Sequence, residues 1–150
     1  MSEDLRYEIK VVANEINFSV FNKWLHIETD FFKKYPDRQI NSLYFDDYNF
    51  SCVKDNLSGI AQRRKYRLRW YGSNEEELSD PIFEIKIKNG RLGSKRYFNV
   101  PELNKKLNNL KIRQIQEIAL SKNKNKKLFF DKDLNPSLIV SYKRNYFENN

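Results

Sequence analysis

Residues 63–70, RRKYRLRW, carry a basic side chain at every second position, with mostly large apolar rings and chains between them. Few local structures accommodate that order. On an extended strand successive side chains point to opposite faces, so Arg63, Lys65, Arg67 and Arg69 share one face. Arg64, Tyr66, Leu68 and Trp70 share the other, which can pack on a core with Arg64 at its edge. The first face cannot be core, because like charges in a low dielectric cost several kcal/mol each without partners.

The same division recurs on either side of this stretch. In 6–11, Arg6, Glu8 and Lys10 oppose Tyr7, Ile9 and Val11, and in 82–88, Glu84, Lys86 and Lys88 oppose Phe83, Ile85 and Ile87. The three charged faces together hold Arg6, Lys10, Arg63, Lys65, Arg67, Arg69, Lys86 and Lys88 against only Glu8 and Glu84. An ordinary solvated sheet face intersperses both signs, since directly opposed like charges destabilise a sheet. The excess favours an anion-binding face, and curling the sheet into a barrel would turn it inward around a polyanion. Arginine forks match phosphate oxygens in pairs, and lysines add mobile point charges. Glu8 and Glu84 have two open readings: ligands of a divalent cation in a metal–triphosphate site, or partners of neighbouring basic residues in the sheet.

The remaining chain supports one α+β domain over its 150 residues. Helical spacing of Phe18, Phe21, Leu25 and Phe32 predicts a helix capped by Asn17 and ended before Pro36. A short strand is expected over 42–46, then a turn or short helix closing near Gly59. Asn89-Gly90 predicts a hairpin between 81–88 and the strand that returns through SKRYFNV. Leu103, Leu107, Leu110, Ile115 and Ile118 mark an amphipathic helix or a pair of short ones within 102–120, KNKNKK a solvated loop, and SLIVSYKRNYF a last strand. The single cysteine, Cys52, excludes an internal disulfide, and Cys/His pairs for a structural zinc are lacking. His26, the one histidine, falls on a helix face. Neither a signal peptide nor a membrane span is legible, so a cytoplasmic chain is expected, and its net charge of +8 suits an anionic partner.

RYEIK at 6–10, NSLYFDDYNF at 41–50, GIAQRRKYRLRWYG at 59–72, PIFEIKIK at 81–88 and SYKRNYF at 141–147 resemble, in order, the VTC domain. This is the polyphosphate polymerase domain of vacuolar transporter chaperone proteins, within the triphosphate tunnel metalloenzyme (CYTH-like) superfamily. The resemblance implies an antiparallel β-barrel with flanking helices, forming a tunnel lined by Lys, Arg and Glu. It implies ATP and polyphosphate as partners and manganese or magnesium as cofactor. Lys10, Arg67, Arg69 and Lys86 then match the phosphate-binding catalytic positions. Arg6, Arg63, Lys65 and Lys88 extend that wall, Tyr142 and Arg144 match a Y-x-R motif beside the phosphate path, and Glu84 and Glu8 are the metal candidates. The family pattern continues with an Arg-bearing strand and a Glu-and-Lys strand, so residues 1–150 are expected to be its N-terminal portion, with the barrel incomplete at the C-terminal side.

Phosphoryl transfer from ATP to a polyphosphate chain is the expected reaction, with a metal-dependent triphosphatase on the same scaffold as its first rival. A non-catalytic module for polyphosphate, inositol phosphates or RNA is the second. For RNA, Tyr66, Trp70 and Tyr71 could stack bases. Tyr66 and Trp70, however, face away from the arginine row, which makes nucleic acid the weaker partner. Because the arginines are expected to touch no core, replacing Arg67 and Arg69 together by Ala is expected to remove triphosphate binding and spare the fold.

Overall fold

The computed structural model describes residues 9–74, 76–103, 107, 114, 115, 117, 121 and 134–149. Its elements are α1 (Glu15–Ile27), β1 (Phe32–Asp46), α2 (Ser51–Leu57), β2 (Gln62–Tyr71), β3 (Ile82–Asn89), β4 (Leu92–Asn99), a 3-10 turn (Pro101–Leu103) and β5 (Asn135–Glu148). The described strands form one sheet in the order β4-β3-β2-β1-β5, a curled antiparallel half-barrel consistent with an incomplete α+β barrel. By contact density the chain divides into two compact units. One spans residues 39–142 and holds β2, β3, β4 and α2; among the described residues the other comprises 9–38 and 143–149, with α1.

In the larger unit the alternation read from the sequence sets the layers. Tyr66, Leu68 and Trp70 of β2 are buried with Leu43 and Phe45 of β1 and Phe83 and Ile85 of β3. Each such side chain contributes about 1.5–3 kcal/mol on leaving water. Cys52, Leu78, Val100, Leu103, Ile115 and Leu134 complete this cluster, and Leu107 packs against it. Leu103, Leu107 and Ile115 of the expected amphipathic stretch thus do supply core, while Leu110, Ile118 and the KNKNKK loop lie outside the described residues. The hairpin is present, but it turns one residue later than Asn-Gly, at Gly90-Arg91, with Asn89 paired to Leu92; Gly90 is at φ 60°, where a side chain would be strained.

The acidic pair in LYFDD has a structural task. Phe50, at the start of α2, is left-handed and offers no side-chain cap. Asp46 replaces that cap: its Oδ1 accepts from the Cys52 and Asp47 N–H groups at 2.9 Å and its Oδ2 from Val53 N–H at 3.1 Å. Asp47 Oδ1 accepts from Asn49 and Ser51 N–H, both at 3.0 Å. Replacing the buried Asp46 with Ala should therefore cost about 2 kcal/mol, the upper end for a lost cap. Urea unfolding checks this: the midpoint should fall with its slope unchanged, and an unmoved midpoint would refute the capping role.

Three expectations are corrected. The strand over 6–11 is not formed where the structure describes it: residues 9–14 are irregular, with Ile9 90% and Val11 88% exposed. Period two in the letters is insufficient without a neighbouring strand to take the backbone hydrogen bonds, and helix α1 starts directly afterwards. Asn14, not Asn17, caps that helix; its Oδ1 accepts from Asn17 N–H at 3.0 Å, which makes Asn17 the third helical residue. Thr29 Oγ donates to Leu25 O at the other end, and Phe32 already belongs to β1. That strand is 15 residues long and contains Pro36, which lies beyond Ile40–Phe45, the stretch registered against β2.

Candidate functional site

The antiparallel registers turn the alternation into rows across the sheet. Tyr44, Arg67, Glu84 and Tyr97 lie opposite one another on four successive strands. Ser42, Arg69 and Ile82 form the row on one side of it, and Lys65, Lys86 and Lys95 the row on the other. Arg63 pairs with Lys88 one row further along. The structure therefore brings Arg63, Lys65, Arg67, Arg69, Glu84, Lys86 and Lys88 to one face, as the alternation requires. Lys95 and Tyr44 were missed. The hairpin reading could not have found Lys95: a turn centred on Asn89-Gly90 would set Lys86 against Gly93, whereas the observed turn at Gly90-Arg91 pairs Asn89 with Leu92 and Lys86 with Lys95.

At the centre of this face sits Glu84, whose side chain is 1% exposed. Its Oε2 accepts from Arg67 Nε at 2.6 Å and is ion-paired with Arg67 Nη2 at 2.6 Å and with Arg69 Nη2. Lys95 Nζ stands 4.0 Å from Oε1. Burial by itself would push the Glu84 carboxyl up, but the Arg67 and Arg69 guanidiniums outweigh it and hold the group below its ordinary value of 4.5. Lys95 is lowered, by burial first and then by Arg69, Lys86 and Arg67, against the pull of Glu84. Of the two readings open for Glu84, the ion pair within the sheet is the one the geometry displays.

Arg67 and Arg69 are consequently not the free, coreless side chains expected from sequence. They are 17% and 14% exposed and are held in place by a buried carboxylate. Arg67 Nη1 also donates to Tyr44 Oη at 3.2 Å, with the guanidinium 6.0 Å from that ring's centre, and Arg69 Nη1 approaches Tyr71 Oη at 3.5 Å. One carboxylate thus orients two guanidinium forks without neutralising both. Arg69 Nε and Ser42 Oγ, on directly paired residues, are buried and have no hydrogen-bond partner among the described residues. Two orphan donors side by side in a cationic site suit an anion's oxygens.

A protein-held divalent cation does not fit the described residues. Among them no three His, Cys, Asp or Glu side chains converge, and Glu84 is ringed by Arg67, Arg69 and Lys95, which would repel a second cation. Glu8 and Arg6 lie outside the described residues. Lys10 is in the irregular segment before α1, in the smaller unit. Tyr142 is on β5 in the larger unit; Arg144 belongs to the smaller one, where its guanidinium lies 4.8 Å over the Tyr146 ring. Arg63 Nη1 donates to Ile60 O at 2.6 Å at the exposed end of its row.

No helix among the described residues is long and apolar enough to cross a membrane. The family model of the VTC domain matches residues 5–150 of the chain. No curated protein matches it.

Proposed function

The chain belongs to the VTC domain family, which is associated with polyphosphate and with its polymerisation, and from that premise we propose that it transfers the terminal phosphate of ATP to a polyphosphate chain. The observation that carries this reading is the row Lys65–Lys86–Lys95, three lysines opposed on adjacent strands beside the Arg67–Glu84–Arg69 cluster. Three ammonium groups in direct register make a cationic track across the strands that the oxygens of a polyanion can bridge.

In this mechanism an oxygen of the acceptor's terminal phosphate bonds to the γ-phosphorus of ATP while the β–γ bridging bond breaks and ADP leaves. The acceptor is already an anionic nucleophile, so no histidine, cysteine or serine is needed. Positioning and charge stabilisation suffice. Arg67 and Arg69, oriented by Glu84, hold the transferred group; Lys65, Lys86 and Lys95, in the row beside Arg67 and Glu84, hold the neighbouring phosphates. Arg63, Lys88 and Tyr142 of the larger unit are assigned to the phosphate path in the same reading. The nucleotide is taken as its magnesium or manganese complex, and the metal arrives with the substrate rather than on a ligand set among the described residues. On this reading the protein works in the cytoplasm, where ATP is available.

Incubation with ATP and manganese, followed by sizing of the products, tests the proposal. Long-chain polyphosphate is the expected product, falling at least tenfold in rate for Lys86→Ala, about the loss of one charge-assisted hydrogen bond. Inorganic phosphate alone would make the chain a triphosphatase, and no turnover with tight polyphosphate binding would make it a binding module.

A further inference from the structure

Exposure falls steadily across the cationic face. Lys95 is 53% exposed, Arg67 17% and Arg69 14%, and Ser42, directly paired with Arg69, is fully buried. At that buried end stand Ser42 Oγ and Arg69 Nε, the two groups of this face without a hydrogen-bond partner among the described residues. The rest of the Arg69 fork is engaged, since Nη2 is ion-paired with Glu84 and Nη1 approaches Tyr71 Oη. On the same face of β1, Ile40 is apolar and Tyr44 Oη already accepts from Arg67, which leaves the Ser42 hydroxyl to meet a ligand. Serines that serve the fold bond to it: Ser137 Oγ donates to Tyr44 O and Ser141 Oγ to Asn41 Oδ1. Ser42 does neither, although a buried hydroxyl left unpaired costs stability.

We propose that Ser42 is a phosphate-binding residue, whose hydroxyl acts with Arg69 Nε to anchor the oxygens of one phosphoryl group at the buried end of the face. The inference rests on the phosphate-transfer reading above and adds to it a neutral donor from β1. A hydroxyl donating to an anionic oxygen makes a directed, charge-assisted bond without bringing charge of its own. Its neighbours Arg67 and Arg69 supply the charge, and Ser42 supplies direction. The burial gradient then divides the work along the track. Solvent ions screen exposed charges beyond about 10 Å at ~0.1 M salt, but reach buried groups far less. Lys95, at the open end, therefore holds the chain in a salt-sensitive way, while Ser42 with Arg69 holds one group in a salt-resistant way.

Calorimetric titration of the whole chain with inorganic tripolyphosphate at several salt concentrations, beside urea unfolding without ligand, tests this. Ser42→Ala should weaken tripolyphosphate about tenfold at every salt concentration, the scale of one hydrogen bond to a charged group. Lys95→Ala should differ from the wild type at low salt and converge on it at high salt. Because the alanine removes a buried hydroxyl that has no partner, the unfolding midpoint of Ser42→Ala should be no lower than that of the wild type. Lost binding without lost stability is a result that a purely structural serine does not give. Ser42→Cys, close in shape and only a weak donor, should bind with an affinity between those of the wild type and the Ala variant. Wild-type affinity in both variants, an effect of Ser42→Ala that vanishes at high salt, or a lowered midpoint would overturn the inference and leave the phosphate site standing. If the wild type does not bind tripolyphosphate, the phosphate-transfer reading fails and the role of Ser42 fails with it.

Discussion

Glu84→Gln should unfold in urea with a stability loss of about 3 kcal/mol or more, the scale for stripping one member from a buried charge cluster. The substitution keeps shape and removes the negative charge that Arg67 and Arg69 share, leaving two guanidiniums 17% and 14% exposed, with Lys95 beside them. Tripolyphosphate should recover much of that loss, because it returns negative charge to the same donors and binds only the folded chain. The pH dependence has a definite sign. The folded-state carboxyl lies below its ordinary 4.5, so its stabilisation is fully present above that value and is lost as pH falls through the lower, folded value. Acid unfolding of the wild type should display this slope, and the Gln variant should lack it. A variant as stable as wild type, with an unchanged acid limb, would mean that Glu84 does not hold the cluster together.

The paired replacement Arg67→Ala with Arg69→Ala should abolish tripolyphosphate binding and should also cost about 3–5 kcal/mol in stability. The second effect reverses what the sequence suggests. Removal of both forks strands a carboxylate that is 1% exposed, with only Lys95 among the described residues, 4.0 Å away, for compensation. Adding Glu84→Gln to the double variant removes the stranded charge, so stability should partly return while binding does not. Such non-additivity is expected of residues in one network. It also separates the two roles: a triple variant that regained tripolyphosphate binding would show that the arginines serve the fold alone, and a double variant of wild-type stability would show that they serve only the ligand.

Where the structure agrees with the sequence, each agreement comes from a local rule. Side chains two apart on β2 share a face, which put Tyr66, Leu68 and Trp70 in the core and Lys65, Arg67 and Arg69 opposite them. Gly90 specified a hairpin because the first central residue of the observed Gly90-Arg91 turn has positive φ, which glycine takes without strain. The disagreements come where a local rule met a non-local requirement. Ile9 and Val11 alternate as a strand would, yet are exposed in an irregular segment, because a strand also requires a partner. Asp46 and Asp47 read as part of a motif string, although they are spent on the N-terminus of a helix whose first flanking residue cannot cap it.

The letters alone determined that one face of β2 and β3 would be cationic and the other apolar, because direction alternates along any extended chain and like charges cannot be buried together. Which strands stand side by side, and in what register, was decided only by the folded sheet. That register set Lys95 against Lys86, and brought Glu84 within reach of two arginines 15 and 17 residues away. The physical reason is that a carboxylate's role follows from the charges around it, and those came from strands distant in sequence.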